Sequence, residues 1–397
     1  MSRSGATSVC PIRSLAPFQY ESRTRIVFGP GCVAELGDQV RQLGCQRVLI
    51  SSDPGIIAAG HTQRGQEVLK EAGCEVAIFS DVHENPTTAD VEAGTQLAKQ
   101  FQPDLIVGLG GGSSMDCAKG INFLCSNGGR MQDYWGEGKA TQEMLPMIAV
   151  PTTAGTGSET QSYALISDGR THAKMACGDK KAAFRVAMLD PELTLTQPAL
   201  VSATTGIDAM AHALESYVSK RRNPISLVFS REAWQLTSQS LVRVLEDPQD
   251  VEARAGMLLG ACFAGLAIEN SMLGAAHALS NPLTAKFGLT HGRAVGLMLP
   301  HVIRFNGVEH NDLYRELLAG EGCNRSTPDS REGAEGLARF VDDLMRKAGL
   351  ETRLGDCGVN EKILSDLASS AAEQWTAQFN PRTVDHVSLL ELYRRAM

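Results

Sequence analysis

A chain of 397 residues exceeds one ordinary hydrophobic core, so its length predicts two domains. An apolar share of 43% beside 21% charged residues is that of a globular protein and excludes a disordered one. The net charge of −8 excludes a nucleic-acid surface, which needs clustered Lys and Arg. The basic runs Lys180-Lys181 and Lys220-Arg221-Arg222 are short and read as solvated loops.

Ten cysteines are scattered without a C-x-x-C pair, which points to reduced thiols and a cytoplasmic location, not to a disulfide framework. The apolar run 255–268 falls short of the ~20 residues a bilayer span needs, so it reads as a buried helix and no membrane partner is expected. Residues 1–17 contain Arg3, Arg13 and several Ser, but Pro11 and Pro17 break any amphipathic helix. That segment reads as a disordered N-terminal tail.

From residue 18 strand and helix signals alternate. RTRIVFG (23–29) and QRVLISS (46–52) are β-rich, with a helix-like segment at 33–43 between them. CEVAIF (74–79) follows a helix ending at Gly73, and DLIVGL (104–109) follows one at 87–100. PMIAVP (146–151) follows a third helix at 113–124. Such alternation predicts βαβ units and a parallel, Rossmann-like sheet covered on both faces. SYALIS and RVAMLD continue as short strands. Beyond Pro198 the strand signal stops, and helices run to Met397, broken at Asn223-Pro224, Asp247-Pro248, Gly288 and Pro300. The expected division is an α/β domain over 18–195 and an all-helical domain over 196–397.

LIVGLGGGSSMDCAK (105–119) passes from a buried strand through Gly110, Gly111 and Gly112 into a helix. Glycines let the backbone approach a ligand, and free amides at a helix start favour an anion. Ser113 and Ser114 add hydroxyl donors or cap the helix. One such turn is weak evidence, since many α/β proteins use glycine there for packing. A second turn, PTTAGTGSE (151–159), follows the next strand and carries Thr152, Thr153 and Thr156. Two adjacent donor-rich loops make a crevice at the carboxyl edge of the sheet, where dinucleotides bind. Asp53, ending the VLISSD strand, is placed to bond a ribose hydroxyl and repel a 2′-phosphate, favouring NAD over NADP. Its plainer reading is a helix cap before Pro54-Gly55.

In the Ala-rich GIDAMAHALESY (206–217), Asp208 and His212 share one helical face. Alone, that pair reads as a helix-stabilising hydrogen bond. His277 and His291, in SMLGAAHALSNPLTAKFGLTHG (271–292), would stand ~20 Å apart on an unbroken helix. An interruption at Pro282 and an end at Gly288 would let the chain fold back, so that three imidazoles and one carboxylate converge. Such a set suits Fe²⁺ or Zn²⁺ with a position left for substrate.

D-A-M-A-H, H-A-L-x-x-P-L and T-H-G-x-A-V-x-L-x-L-P-H, with GGGSSMDCAK and PTTAGTGSE, resemble the iron-dependent (group III) alcohol dehydrogenase family. The similarity runs from about residue 18 to about 310 and weakens beyond. The resemblance implies a dehydroquinate synthase-like architecture, with the active site between an α/β and an all-helical domain. It implies metal ligation by Asp208, His212, His277 and His291. It also implies NAD(P) contacts by Asp53, Gly111, Gly112, Ser113, Asp116, Thr152, Thr153, Thr156 and Lys174, and a homodimer or larger assembly. Asn281 departs from the pattern, because many relatives have histidine there. Asn cannot act as a base, so either water and the cofactor ribose carry the proton, or the substrate differs. His277, His291 and Asn281 are thus the candidate catalytic positions, and Thr284, where glycine is common, is expected to narrow the pocket.

The chemistry expected is hydride transfer between a primary alcohol or diol and nicotinamide, with the divalent ion as Lewis acid. Alternatives on the same scaffold are a polyol dehydrogenase and a hydroxyacid–oxoacid transhydrogenase. A dehydroquinate synthase is disfavoured by the D-x-x-x-H pair, and a non-catalytic metal- and nucleotide-binding protein by the complete residue sets. Glu215 has two balanced readings, holding a ligand imidazole in its tautomer or capping a surface pair. His61, His83, His172 and His310 read as solvated, and His301 as a helix-start or supporting residue. Cys117 and Cys262 read as core packing.

Overall fold

The computed structural model describes residues 17–171, 173–319 and 331–397. The expected tail and His172 therefore lie outside the described residues, apart from Pro17. Among the described residues nine strands form: β1 (Arg25–Phe28), β2 (Arg47–Ser51), β3 (Glu75–Phe79), β4 (Leu105–Gly110), β5 (Gly136–Glu137), β6 (Met147–Pro151), β7 (Tyr163–Ser167), β8 (Lys174–Gly178) and β9 (Val186–Leu189). Six of them make one sheet in the order β1-β9-β6-β4-β2-β3, parallel throughout. The helices between them are α1 (Leu36–Gln42), α2 (Pro54–Ala58), α3 (His61–Glu71), α4 (Thr88–Phe101) and α5 (Gly112–Asn127).

Side chains alternate across the sheet with the two-residue period of a strand. Val48 and Ile50 of β2 pack with Leu36, Val40 and Leu69 from α1 and α3. Leu49, between them, joins Val91, Ala98 and Ile121 from α4 and α5 on the opposite face. Leu105, Ile106, Val107 and Leu109 of β4 are fully buried, each worth roughly 1.5–3 kcal/mol of transfer free energy. Both faces are covered, as the unbroken apolar runs predict.

A second sheet, β5-β8-β7, stands beside the first, with β7 and β8 antiparallel. SYALIS and RVAMLD form strands as expected, β7 in this sheet and β9 in the main sheet between β1 and β6; β8 was not expected. KMACG forms β8 although Ala, Cys and Gly give it little strand signal, because pairing with Tyr163–Ser167 supplies its hydrogen bonds.

The remaining helices are α6 (Ala199–Val218), α7 (Pro224–Glu246), α8 (Val251–Glu269), α9 (Ala275–Phe287), α10 (His291–Leu318), α11 (Gly333–Lys347), α12 (Leu364–Ala372) and α13 (His386–Arg395). Asn223 caps α7 through the amides of Ile225 and Ser226, with Pro224 at its first position. Asp250 caps α8 through Ala253 N. Among the described residues α8 is the helix long and apolar enough to cross a membrane, and its buried residues pack into the helical core.

Two expected breaks are absent. Pro282 lies within α9 and Pro300 within α10. Each removes one backbone donor, yet packing on neighbouring helices holds the turns on either side. The chain reverses at Gly288, which ends α9 in the left-handed conformation with φ of 64°. His310 sits at a non-helical kink inside α10, and His301 lies in the same helix, so neither is a loop or helix-start residue.

Candidate active site

A cleft of about 1110 Å³ runs between the carboxyl edge of the parallel sheet and the helical half. The three ligand-bearing elements meet on its helical side. α6 carries Asp208, His212 and Glu215, α9 carries His277 and Asn281, and His291 begins α10. Gly292 makes the last approach possible, since a Cβ there would stand 2.0 Å from Thr204 O on α6. Any larger residue would push His291 away from Asp208.

Three imidazoles converge on one oxygen. Asp208 Oδ1 lies 3.5 Å from His212 Nε2, 3.3 Å from His277 Nε2 and 3.8 Å from His291 Nε2. Four atoms set tetrahedrally ~2.1 Å from a divalent ion lie roughly 3.4 Å apart, so the spacing is that of a ligand shell. Asp208, His277 and His291 form the tightest group, their ligand atoms all within 4.8 Å of one another. His212 adjoins it, its ring stacked on His277 with centroids 4.8 Å apart. Asp208 Oδ1 and His277 Nε2 are buried without hydrogen-bond partners, which is costly unless a cation takes their lone pairs.

The electrostatics favour the same occupant. Burial opposes ionisation of Asp208, but His212, His291 and His277 outweigh it and hold the carboxyl below its usual range. Burial disfavours the imidazolium of His277 too, yet Asp208 and Glu215 lift its pKa to about 9. Positive charge is therefore drawn to its Nε2 face. Burial pulls His291 down to about 3 despite Asp208, and also lowers His212, so both present neutral nitrogens. The donor set fits a divalent transition ion.

The other wall is built from the two donor-rich loops. Gly110, at φ of 150°, ends β4 where a Cβ would meet Ser114 Oγ at 2.3 Å and Asp53 Oδ2 at 3.1 Å. Gly111 and Gly112 line the cleft at the start of α5, opposite Thr153 and Thr156. Asp53 is the helix cap of its plainer reading, and it also faces the cleft. It caps α2 through Ile56 N at 3.1 Å, accepts from Ser114 Oγ at 3.0 Å and lines the cleft. Ser113 Oγ accepts from Asn85 N at 3.2 Å, and Lys174 Nζ reaches Asn85 Oδ1 at 3.4 Å. Thr152 Oγ1 is buried in the cleft wall with no partner, a donor available to a ligand.

Asp116 also lines the cleft and accepts from Ser158 Oγ at 2.7 Å. Behind it Lys119 is fully buried, donating to Ser158 O, Ser158 Oγ and Tyr163 O, each at 2.8 Å. Three donors thus meet three acceptors, the full capacity of an ammonium. This lock ties the first loop to the second. Lys119 stands three residues beyond Asp116 in the glycine-rich motif, and that spacing could have revealed it.

The cleft brings together every candidate cofactor residue except Gly110, which stands just behind its neighbours. Thr284 does not line it, contrary to expectation; it follows Asn281 by one turn of α9, beyond the cleft wall, with its hydroxyl buried. Asn281 does, and its Nδ2 donates to Gln374 Oε1 at 2.9 Å. Gln374 and Trp375 complete that wall from a segment in which no motif marks them. His61 is buried and bonds Thr196 Oγ1 at 2.7 Å, so it is not solvated; His83 is exposed and pairs with Asp90. Cys117 and Cys262 are fully buried in the core.

The profile described as "Iron-containing alcohol dehydrogenase" matches residues 23–191, and "Fe-containing alcohol dehydrogenase family, C-terminal" matches 202–397. The chain belongs to the iron-containing alcohol dehydrogenase family. Within that family it is 33% identical over 371 residues to an NAD-dependent methanol dehydrogenase of Bacillus methanolicus, covering 94% of this chain and 97% of the relative. It is 38% identical to alcohol dehydrogenase 4 of Saccharomyces cerevisiae, over 93% of this chain and 96% of the other. A crystal structure of a 1,3-propanediol oxidoreductase superimposes with a TM-score of 0.91 at 31% identity, covering 96% of this chain and 100% of that one.

Proposed function

We infer that this protein is a metal-dependent, NAD(H)-linked oxidoreductase interconverting a primary alcohol or diol and its carbonyl product. The observation that carries the reading is the convergence of three Nε2 atoms on Asp208 Oδ1, in the same cleft as the glycine and threonine loops. When bound, a divalent ion such as Fe²⁺ supplies Lewis acidity and nicotinamide supplies the hydride acceptor. Similarity to an NAD-dependent methanol dehydrogenase supports that coenzyme.

The chain's own residues do the rest. Asp208, His212, His277 and His291 would hold the ion. Amides around Gly111 to Ser113 and the hydroxyls of Thr152, Thr153 and Thr156 would receive the dinucleotide phosphates, and Asp53 its ribose. Lys174 and Asp116, in the same cleft, would add further contacts to the dinucleotide. Asn281, tied to Gln374, would orient substrate and cannot itself take up a proton. The helical half closes the cleft and excludes bulk water from the reacting carbon.

Lys174 is the only Lys or Arg lining the cleft among the described residues, beside Asp53, Glu84, Asp116, Glu137, Asp208 and Glu373. That lining disfavours a carboxylate-bearing substrate and so weighs against a hydroxyacid–oxoacid transhydrogenase. We place the domain division near residue 195, between β9 and α6. The eight free thiols among the described residues support a reducing, cytoplasmic compartment. The outer edge of β1, where Phe28 is 45% exposed, supports a homodimer or larger assembly.

The test is metal analysis of protein purified without oxygen, followed by absorbance at 340 nm with NAD and a panel of primary alcohols and diols. Turnover is expected with bound iron or zinc. His277→Ala should lose the metal and turnover while retaining NAD affinity, measured by calorimetry. Full activity in that variant would remove the metal assignment.

A further inference from the structure

Glu215 is a buried carboxylate that the proposed reaction does not itself use. Its two oxygens have separate partners: Oε2 lies 2.6 Å from His277 Nδ1, and Oε1 accepts from Ala276 N at 2.7 Å. Both partners belong to α9, whereas Glu215 belongs to α6. The start of α9 explains the second contact. Gly274 occupies the N-cap and has no side chain to offer the free amides. They are met from elsewhere, Ala276 N by Glu215 and Ala275 N by Asn380 Oδ1 at 3.3 Å. Gly274 itself suits this, since a Cβ there would stand 3.0 Å from Asn380 Oδ1 and 3.1 Å from Glu215 Oε1.

We propose that Glu215 is a positioning residue for the metal, fixing both the tautomer of His277 and the seat of the helix that carries it. The inference rests on the metal reading above. A neutral imidazole bears one proton, and a carboxylate at Nδ1 holds it there. The lone pair then lies on Nε2, the nitrogen that faces Asp208 Oδ1 at 3.3 Å and has no hydrogen-bond partner. The other tautomer would turn an N–H toward the ion. The contacts also demand a carboxylate and not merely a polar group of its length. Two donors, Nδ1–H and Ala276 N–H, need two acceptor oxygens. Glutamine offers only one and would set an NH₂ against a donor. A surface ion pair, the plainer role open to this residue, does not apply at 4% exposure.

Zn²⁺ affinity, measured by competition with a chromophoric chelator, tests the proposal. Glu215→Gln is expected to weaken Zn²⁺ binding by ~10–100-fold while NAD affinity is retained. The visible spectrum of the Co²⁺-substituted protein should also change, reporting an altered ligand field. Glu215→Asp, one methylene shorter, cannot reach both donors and should weaken binding by about tenfold. Asn380→Ala is the control for the seat of the helix start, removing the bond to Ala275 N together with those to Asn306 and Arg382 O, without touching His277. It should lower the melting temperature and leave Zn²⁺ affinity near that of the parent. Parent-like affinity in either Glu215 variant overturns the proposal, as does an equal loss in Asn380→Ala. His277→Ala separates the possible failures. If it too binds Zn²⁺ normally, the metal reading itself falls; if it alone loses the ion, only the role of Glu215 falls.

Discussion

Asp53 is one carboxylate with a structural bond on each oxygen and a place in the cleft lining. Its Oδ1 caps α2, and its Oδ2 accepts from Ser114 at the mouth of the first glycine loop. Serine would preserve the cap, because a hydroxyl also accepts from the amides of a first helical turn. It would remove the negative charge that a 2′-phosphate must face. Asp53→Ser is therefore expected to raise the ratio of kcat/KM for NADP to that for NAD on the order of tenfold, about 1.4 kcal/mol, with little change in melting temperature. An unchanged ratio in a stably folded variant would remove Asp53 from the ribose site. Asp53 and the metal set could be read from residue order because their chemistry is unusual where they stand: an acid ending a buried strand, and imidazoles in Ala-rich helices. Asn85, Gln374 and Trp375 carry no such mark. They reach the cleft only through the tertiary fold.

Among the elements, the strands of the main sheet were legible because burial on both faces writes a continuous apolar run. β8 was not, since its residues are small and its hydrogen bonds come from a partner strand. Proline at 282 and 300 misled for a related reason: local propensity predicts a break, and the packed neighbours of α9 and α10 overrule it. The second loop holds a feature that residue order also hides. Glu159 sits in the short helical turn Ser158–Thr160, 2% exposed. Burial raises its pKa from 4.5 to about 7, only partly opposed by its own backbone amide and Lys119. Between those values the folded chain retains a proton that the unfolded chain releases. Stability from this group is thus complete below about 4.5 and falls as pH rises through about 7, by on the order of 3 kcal/mol. Glu159→Gln, which stays neutral, should escape that loss. Its melting temperature relative to the parent is expected to rise by roughly 2–5 °C from pH 5 to pH 8. A constant difference across that range would mean that Glu159 is ionised in the fold.

At the scale of the whole molecule, the net charge of −8 is not spread evenly with respect to function. Among the described residues six carboxylates and a single lysine line the cleft, so the lining disfavours anions. The dinucleotide can still enter, because its phosphates would meet backbone amides and hydroxyls at the start of α5, where the field is locally positive. At the metal end a hydroxyacid meets Lys174 as the one Lys or Arg lining the cleft among the described residues, already matched by Asp116 and Asp208. Asn281, Gln374 and Trp375 there are uncharged. Neutral alcohols should therefore be favoured over anionic ones of similar size. We expect kcat/KM for 1,3-propanediol to exceed that for 3-hydroxypropionate by more than about tenfold at low ionic strength, which corresponds to ~1.4 kcal/mol. The gap should narrow as salt rises, since the Debye length contracts from ~30 Å at 0.01 M to ~8 Å at 0.15 M. The part that survives screening belongs to desolvation of the carboxylate inside the cleft. Glu373→Gln, which removes one charge from the wall beside Gln374, should narrow the low-salt gap and leave the propanediol rate nearly unchanged. Equal rates for the two substrates at low salt would contradict the electrostatic argument and restore the hydroxyacid as a substrate.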